Sequence, residues 1–144
     1  MASDEGRRTL LQGMALTAAA LAIPIRPSLA ATPGDKAFAA EAARQRDAAI
    51  AAGDQAYGAV VVFEGRIVGY GPSRVIVDRN ADAHAERVAL ADAARRLTPE
   101  QLAGAVIYAT SRPCPTCQAA LARARIARMY VGPDAVDAGP PAGG

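Results

Sequence analysis

A three-layer α/β/α fold around a mixed sheet is predicted by three observations. Two β-rich runs, "AYGAVVVF" and "RIVGYG", flank Glu64-Gly65, which is typical of a tight hairpin. Two later apolar strands, "AGAVIYATS" and "IARMYVG", each follow a segment with helical periodicity. Strands that alternate with helices in this way predict parallel crossovers, with helices covering the sheet.

The elements are predicted in the order α-β-β-α-β-α-β. An Ala-rich helix ends at Gly53, the hairpin follows, and a loop runs over 72–80. Asp82 is expected to cap the next helix, "AHAERVALADAARRL", because Asp is a favoured N-cap residue. Thr98-Pro99 is expected to end that helix.

The second half of the chain continues the alternation. "AGAVIYATS" is a continuous apolar strand, as expected for burial on both faces. In the following helix, "CPTCQAALARAR", Cys114 is the expected N-cap and Pro115 takes the first helical position, where its missing N–H costs nothing. "IARMYVG" is the last predicted strand.

Residues 1–30 resemble an export signal. The pair Arg7-Arg8 precedes an apolar run over 10–25, which is shorter than the roughly 20 residues of a membrane span. The pattern is similar to twin-arginine signals, with cleavage expected after Ala30 or Ala31. This predicts an exported protein of the bacterial periplasm, folded before transport. An ordinary secretory signal, or an amphipathic helix that stays attached, are the alternatives.

The remaining chain is divided into a domain over 31–133 and a flexible Pro/Gly-rich tail over 134–144. The whole chain carries a formal net charge of +2. Three of its arginines and two of its acidic residues lie in the signal, so the rest is nearly neutral. The sequence shows no basic stripe of the kind that is typical of nucleic-acid binding.

Three residues that are rare in this chain lie at predicted helix N-termini. His84 is the single histidine, and Cys114 and Cys117 are the two cysteines. Ligands of open α/β sheets bind where strands end and the next helices begin. One His and two Cys suit zinc, and three protein ligands leave the fourth tetrahedral position for water. Glu86 is expected beside that water without binding the metal.

The motifs "HAE" over 84–86 and "PCPTC" over 113–117 resemble the zinc-deaminase signature. The resemblance extends over 38–131 and is to the cytidine-deaminase-like superfamily, with its CMP/dCMP-type zinc deaminase domain. "HAE" is similar to the branch with guanine, cytosine and tRNA-specific adenosine deaminases. It implies a hydrolase that replaces a ring amino group by a carbonyl and releases ammonia.

The resemblance also implies roles for single residues. Glu86 is the expected catalytic acid and base, beside one Zn²⁺ per chain with its bound water or hydroxide. The backbone N–H of Ala85 is expected to hold a substrate carbonyl. Ser73 stands where relatives often carry a base-binding Asn, and Gly58 and Pro113 complete the expected substrate-binding set. Gly58 is alternatively only a strand irregularity.

A small-molecule base or nucleoside is the expected substrate, with a guanine-like purine ahead of cytosine and other aminated heterocycles. Export and the nearly neutral charge argue against a nucleic-acid partner, and the export machinery is an expected partner. Purine-acting relatives usually continue into a fifth strand and a C-terminal helix, which this sequence is expected to lack. The edge of "ARMYVG" would then be exposed, which favours a homodimer or a larger homo-oligomer.

Two other functions compete with the deaminase. An exported C-x-x-C pair is often a disulfide or a thiol-disulfide oxidoreductase site. That function gives His84 and Glu86 no task, and the chain has no Trp to precede the pair as in thioredoxin-like proteins. A zinc-bound but inactive binding domain is the other alternative, because of Ser73 and the expected lack of a C-terminal strand and helix.

Overall fold

The computed structural model describes residues 33–143 and shows a five-stranded mixed sheet with helices on both faces. The segment interpreted as an export signal, 1–30, lies outside the described residues. The strands lie in the order β2-β1-β3-β4-β5. The helices and strands are α1 Pro33–Ala51, β1 Gly58–Phe63, β2 Arg66–Pro72, α2 Ala85–Ala94, α3 Pro99–Leu102, β3 Val106–Ala109, α4 Pro115–Arg123, β4 Arg128–Val131 and β5 Val136–Gly139.

The strand pairing confirms the predicted hairpin and crossover. Strands β1 and β2 are antiparallel, and Phe63 pairs with Arg66 across a two-residue loop. Both loop residues, Glu64 and Gly65, have positive φ values (50° and 73°), as the tight turn requires. Strand β3 is antiparallel to β1 and parallel to β4, so helix α4 forms the crossover between β3 and β4.

Two buried clusters make the molecule three-layered. Helix α1 packs on one face of the sheet, where Ala42 meets Val60 and Tyr108. Helices α2 and α4 pack on the other face, where Ala89 and Leu121 join a larger cluster. Apolar burial of this kind contributes roughly 25 cal/mol per Å². The larger cluster holds α2 and α4, the two helices that begin at the predicted ligands, against the same face of the sheet.

Helix α2 lies unusually close to strand β2. A Cβ added to Gly71 would come within 2.1 Å of the Ala85 carbonyl oxygen, and one added to Gly69 within 2.3 Å of the Ala89 carbonyl oxygen. The glycines therefore permit the contact. Asp92 of α2 also accepts the outward N–H of Tyr70 at 2.9 Å, which satisfies a donor on the edge strand.

The boundaries of α2 differ from the prediction. The N-cap is His84, not Asp82, and the helix ends at Ala94. Asp82 pairs instead with Arg87, at 3.6 Å. Thr98 does not simply end a helix, because it caps α3 by a capping box with Gln101. Propensity favoured Asp82, but the packing of α2 against β2 sets the first turn.

The expectation that the chain lacks a fifth strand is wrong. Residues Val136–Gly139 form β5, antiparallel to β4, so this strand covers the β4 edge that was expected to be exposed. The guanidinium of Arg128 binds the Asp137 carboxylate at 2.9 Å across the pair. No helix follows β5 within residues 33–143. In that same part of the chain, every helix is too short or too polar to span a bilayer.

Candidate metal centre and active site

His84 and Cys114 occupy equivalent positions at the starts of two helices. His84 is the N-cap of α2 and Cys114 the N-cap of α4, and both have extended backbone angles. Each backbone carbonyl accepts the first helical hydrogen bond, from Val88 and Gln118 respectively, at 2.9 Å. Neither side chain makes a capping hydrogen bond. Both side chains therefore remain available as ligands. Pro115 takes the first turn of α4, as predicted.

The ligand atoms of three residues converge. His84 Nδ1 lies 3.6 Å from Cys114 Sγ and 3.4 Å from Cys117 Sγ, and all three ligand atoms are within 4.8 Å of one another. A tetrahedral zinc ion with bonds of about 2.3 Å to sulfur and 2.0–2.1 Å to nitrogen separates such N and S atoms by roughly 3.5 Å. The donor set and its spacing therefore fit zinc.

The two thiols have opposite pKa shifts before any cation is considered. Burial raises the pKa of the Cys114 thiol, but hydrogen bonds outweigh it and lower this pKa to about 7. The strongest of them involves the Thr116 hydroxyl, 3.2 Å from Cys114 Sγ. Burial, with the adjacent Cys114 thiol, raises the pKa of Cys117. Cys114 thus ionises first, and a bound cation would favour the thiolate form of both.

Glu86 follows in the first turn of α2 and is buried, with 5% of its surface exposed. Burial raises the pKa of its carboxyl above the usual range, against smaller opposing contributions from its own backbone N–H, from His84 and from Cys117. Carboxyl groups whose pKa is raised by burial are common among general acids and bases. Glu86 therefore has the environment of a general acid and base.

Ser73, the expected substrate contact, is buried beside a carboxylate that the sequence did not single out. Its hydroxyl donates to Asp54 Oδ1 at 2.8 Å, and its N–H donates to the Tyr57 carbonyl. Arg74 N–H donates to the Ala83 carbonyl at 3.0 Å, so this loop adjoins the residue before His84. Because the Ser73 hydroxyl donates its hydrogen to Asp54, its oxygen can only accept hydrogen bonds from other groups.

The other three expected substrate contacts lie at the same end of the sheet. Ala85 is fully buried and begins α2, where the first N–H groups have no intrahelical acceptor. Pro113 is buried, and its carbonyl accepts from Gln118 Nε2 at 2.9 Å. Gly58 is closely approached by α1, because an added Cβ would meet the Ala42 carbonyl oxygen at 2.1 Å. Helix packing alone thus accounts for this glycine.

A surface groove of about 680 Å³ runs along α2, outside the ligand cluster. Ala83 and Arg87 line it, next to His84 and Glu86 in the sequence, but the three ligands do not. Asp78 in the groove wall holds Arg74 through two hydrogen bonds of 2.8 Å. This groove therefore lies beside the His84–Cys114–Cys117 cluster rather than at it.

Sequence reasoning did not find Asp54 or Gln118. Asp54 accepts the N–H groups of Ile76 and Val77, 22 and 23 residues away, and Gln118 accepts the N–H of Ala142, 24 residues away. No local pattern marks such partners, since each is defined only after the chain has folded. Their long sequence separation is the reason that they were missed.

The fold and the three converging ligands define a zinc-binding α/β domain of the deaminase type. Residues 33–133 match the family model for the cytidine and deoxycytidylate deaminase zinc-binding region. The chain therefore belongs to this family. The match covers α1 to β4 and includes all three ligands and Glu86.

Proteins similar in sequence to this chain include tRNA-specific adenosine deaminases and a guanine deaminase. The chain is 40% identical over 75 residues to the tRNA-specific adenosine deaminase of Agrobacterium fabrum, covering 52% of this chain and 49% of that protein. It is 34% identical over 96 residues to the Aquifex aeolicus counterpart, covering 67% and 64%. It is 33% identical over 82 residues to the guanine deaminase of Bacillus subtilis, covering 57% and 53%. This chain thus spans between about half and two thirds of their lengths.

Solved structures of deaminases have the same fold as this chain. The Bacillus subtilis guanine deaminase structure superposes with a TM-score of 0.63 at 30% identity, covering 67% of this chain and 62% of that one. A structure from a study of A-to-I editing by tRNA:A34 deaminases gives a TM-score of 0.63 at 34% identity, covering 66% and 73%. The cytidine-deaminase-like fold predicted from the sequence is confirmed.

Proposed function

We propose that this protein hydrolytically deaminates a purine-type base or nucleoside, using one zinc ion held by His84, Cys114 and Cys117. The observation that carries the proposal is the buried Glu86 carboxyl two residues from a His-Cys-Cys cluster of zinc-like spacing. Membership of a deaminase family supports the same reaction.

The chain's own residues account for the proton movements. When bound, zinc lowers the pKa of water from about 15.7 to about 7, which supplies a nucleophile at neutral pH. The Glu86 carboxylate accepts one proton from the attacking water and donates it to the ring nitrogen. It then carries the second proton of that water from the added hydroxyl to the amine, which leaves as ammonia. Ala85 N–H lies at the helix N-terminus, where it can hold a substrate carbonyl. The burial of Glu86 keeps bulk water from competing for its proton.

A guanine-like purine is the first substrate candidate, and an adenosine in tRNA is the second. The guanine deaminase relative supports the first. The tRNA-specific relatives support the second, so the expectation that nucleic acid is excluded has no support among the relatives. The nearly neutral charge of the chain after residue 30 favours the small molecule. The Ser73 hydroxyl already donates its hydrogen to Asp54. It therefore favours a substrate that donates a hydrogen bond to the Ser73 oxygen.

The Glu86→Ala variant tests the reaction. We expect it to keep one zinc per chain but to lose activity by about 10²–10⁴-fold, because general acid–base groups contribute that much. Ammonia release by zinc-loaded protein measures activity, with guanine, adenine, cytosine, their nucleosides and a tRNA anticodon stem-loop as substrates. Glu100→Ala, an exposed glutamate in α3, is the matched control and should leave turnover unchanged.

The pattern of results separates the candidates. Release from free purines alone supports the first substrate, and release from the stem-loop alone supports the second. Normal turnover by Glu86→Ala would show that this carboxyl is not the acid and base. Zinc binding without turnover of any substrate would favour the inactive binding domain, and a cycling disulfide without zinc would favour the thiol oxidoreductase.

Export to the periplasm through a twin-arginine signal remains part of the proposal. Arg7-Arg8 and the apolar run after them support it. Folding before export would allow the metal to bind before oxidation of the thiols. We also propose a homo-oligomer. An exposed β4 edge does not support it, because β5 covers that edge.

A further inference from the structure

Gln118 is a buried polar residue in the first turns of α4, directly after the ligand Cys117. Only 7% of its surface is exposed. A buried amide normally has all of its hydrogen-bonding groups paired, since an unpaired one costs free energy. Its contacts therefore indicate what holds this turn in place.

Gln118 binds both peptide groups that flank Cys114. Its side-chain Nε2 donates to the Pro113 carbonyl at 2.9 Å, and its backbone N–H donates to the Cys114 carbonyl at 2.9 Å. These two peptide planes set the backbone angles of Cys114 and hence the direction of its Cα–Cβ bond. One residue thus holds the backbone on both sides of Cys114.

The other end of the same amide is held by the C-terminal segment. Gln118 Oε1 accepts the N–H of Ala142 at 3.1 Å, just beyond β5. An added Cβ on Gly143 would lie 3.8 Å from the Ala122 Cβ, so the segment runs along α4. The segment after β5 therefore holds the Gln118 amide, which in turn holds the backbone before Cys114.

We propose that Gln118 is a positioning residue for the metal site and that the segment 140–143 acts through it to slow metal release. The proposal rests on the zinc site of the proposed function. Partners that orient metal ligands typically contribute 10–100-fold to metal affinity. The C-terminal segment, outside the family match over 33–133, would thus control how long the metal stays bound.

The test is the rate of zinc release to a colorimetric chelator, measured well below the unfolding temperature on full-length, zinc-loaded protein. Gln118→Met keeps the side-chain length but removes both side-chain hydrogen bonds, and we expect about 10-fold faster release. Ala142→Pro removes the N–H that Gln118 Oε1 accepts but leaves the bond to Pro113, and we expect a smaller increase in the same direction. The double variant should release zinc no faster than Gln118→Met, because both changes break one network.

Gln101→Met is the matched control, since this residue also loses a side-chain hydrogen bond but lies in the capping box of α3. Its release rate should equal that of the wild type. Release by Gln118→Met at the wild-type rate, or effects that simply multiply in the double variant, would overturn the proposal. Should Gln118→Met fail to fold, the single Ala142→Pro variant decides. A wild type that does not bind one zinc counts against the proposed function as well.

Discussion

At two helix starts, residues of the candidate metal cluster replace the residues that normally cap helices. Ser, Thr, Asp and Asn are preferred at such positions because their side chains accept from the first N–H groups. His84 and Cys114 stand there instead and make no such bond. Their positions put both side chains at the helix ends that favour negative charge, which suits thiolate formation at Cys114. Chemistry therefore overrides local preference at these two residues.

Asp54 is the single residue whose charge we expect to matter most for acid stability. Burial raises the pKa of its carboxyl, but hydrogen bonds from three backbone N–H groups and the Ser73 hydroxyl outweigh it and lower the pKa to about 2. A lowered carboxyl pKa adds stability above the unfolded value of about 3.8, and this stability is lost as the pH falls toward 2.

We therefore expect Asp54→Asn to lower the urea midpoint at about pH 5, and to lower it much less at about pH 2.5. An amide cannot accept from all four donors, since its nitrogen is itself a donor. Urea unfolding of the metal-free protein at both pH values measures the effect. Asp47→Asn, which loses only an exposed ion pair with Arg46, is the control. An equal midpoint difference at both pH values would contradict the role given to the Asp54 charge.

That three residues of the candidate metal cluster converge could be predicted from the sequence, whereas the hydrogen bonds that support them could not. His84, Cys114 and Cys117 are rare residues whose types and positions indicate zinc directly. Gln118 has no such signal, because its importance comes from Pro113 and a segment 24 residues away. Sequence therefore reports the chemistry of a site more readily than the hydrogen bonds that hold it.

At the scale of elements, Gly71 sets the distance between β2 and the first turn of α2. A Cβ at this position would lie 2.1 Å from the Ala85 carbonyl oxygen and 2.5 Å from the Ala89 N atom. Both are backbone atoms, so the helix must shift. We expect Gly71→Ala to destabilise the fold by about 1–3 kcal/mol, the usual cost of overpacking. Because Ala85 follows His84, we also expect weaker zinc binding.

Urea unfolding and zinc titration measure the two effects. Gly104→Ala is the matched control, because an added Cβ there meets its nearest atom, on the Phe63 ring, at 3.4 Å. That variant should keep both stability and zinc affinity close to those of the wild type. If Gly71→Ala behaved like Gly104→Ala, the close contact would not be what positions the start of α2.

The elements that the sequence predicted are those with a strong local pattern. The hairpin at Glu64-Gly65 and the apolar strand β3 were predicted because turn chemistry and hydrophobicity agree there. Strand β5 was missed because "VDAG" has little β-propensity of its own. It forms through pairing with β4 and the Arg128–Asp137 contact, which exist only in the folded molecule.

For the whole molecule, the sheet brings two sequence-distant motifs to one place. His84 is the N-cap of α2, and the two cysteines lie 30 and 33 residues further on, at the N-cap and in the first turn of α4. Both helices pack on the same face of the sheet, over a core that includes Ile107 and Met129. A metal ion bound by all three residues would therefore add a bond between the starts of two helices that already pack against each other. Such a link exists only in the folded state.

Metal removal should consequently lower the thermal stability of the whole domain. A ligand that binds only the folded state at 100 times its dissociation constant adds about 2.7 kcal/mol. For a domain of this size, that corresponds to a rise of roughly 10 °C in Tm. We expect zinc to raise the Tm of metal-free protein by this order, and a chelator to reverse it. A variant with His84→Ala, Cys114→Ser and Cys117→Ser should not respond to zinc. A wild-type Tm unaffected by both zinc and chelator would contradict a link between the two helices, because any ion bound across them must stabilise the folded state in proportion to its occupancy.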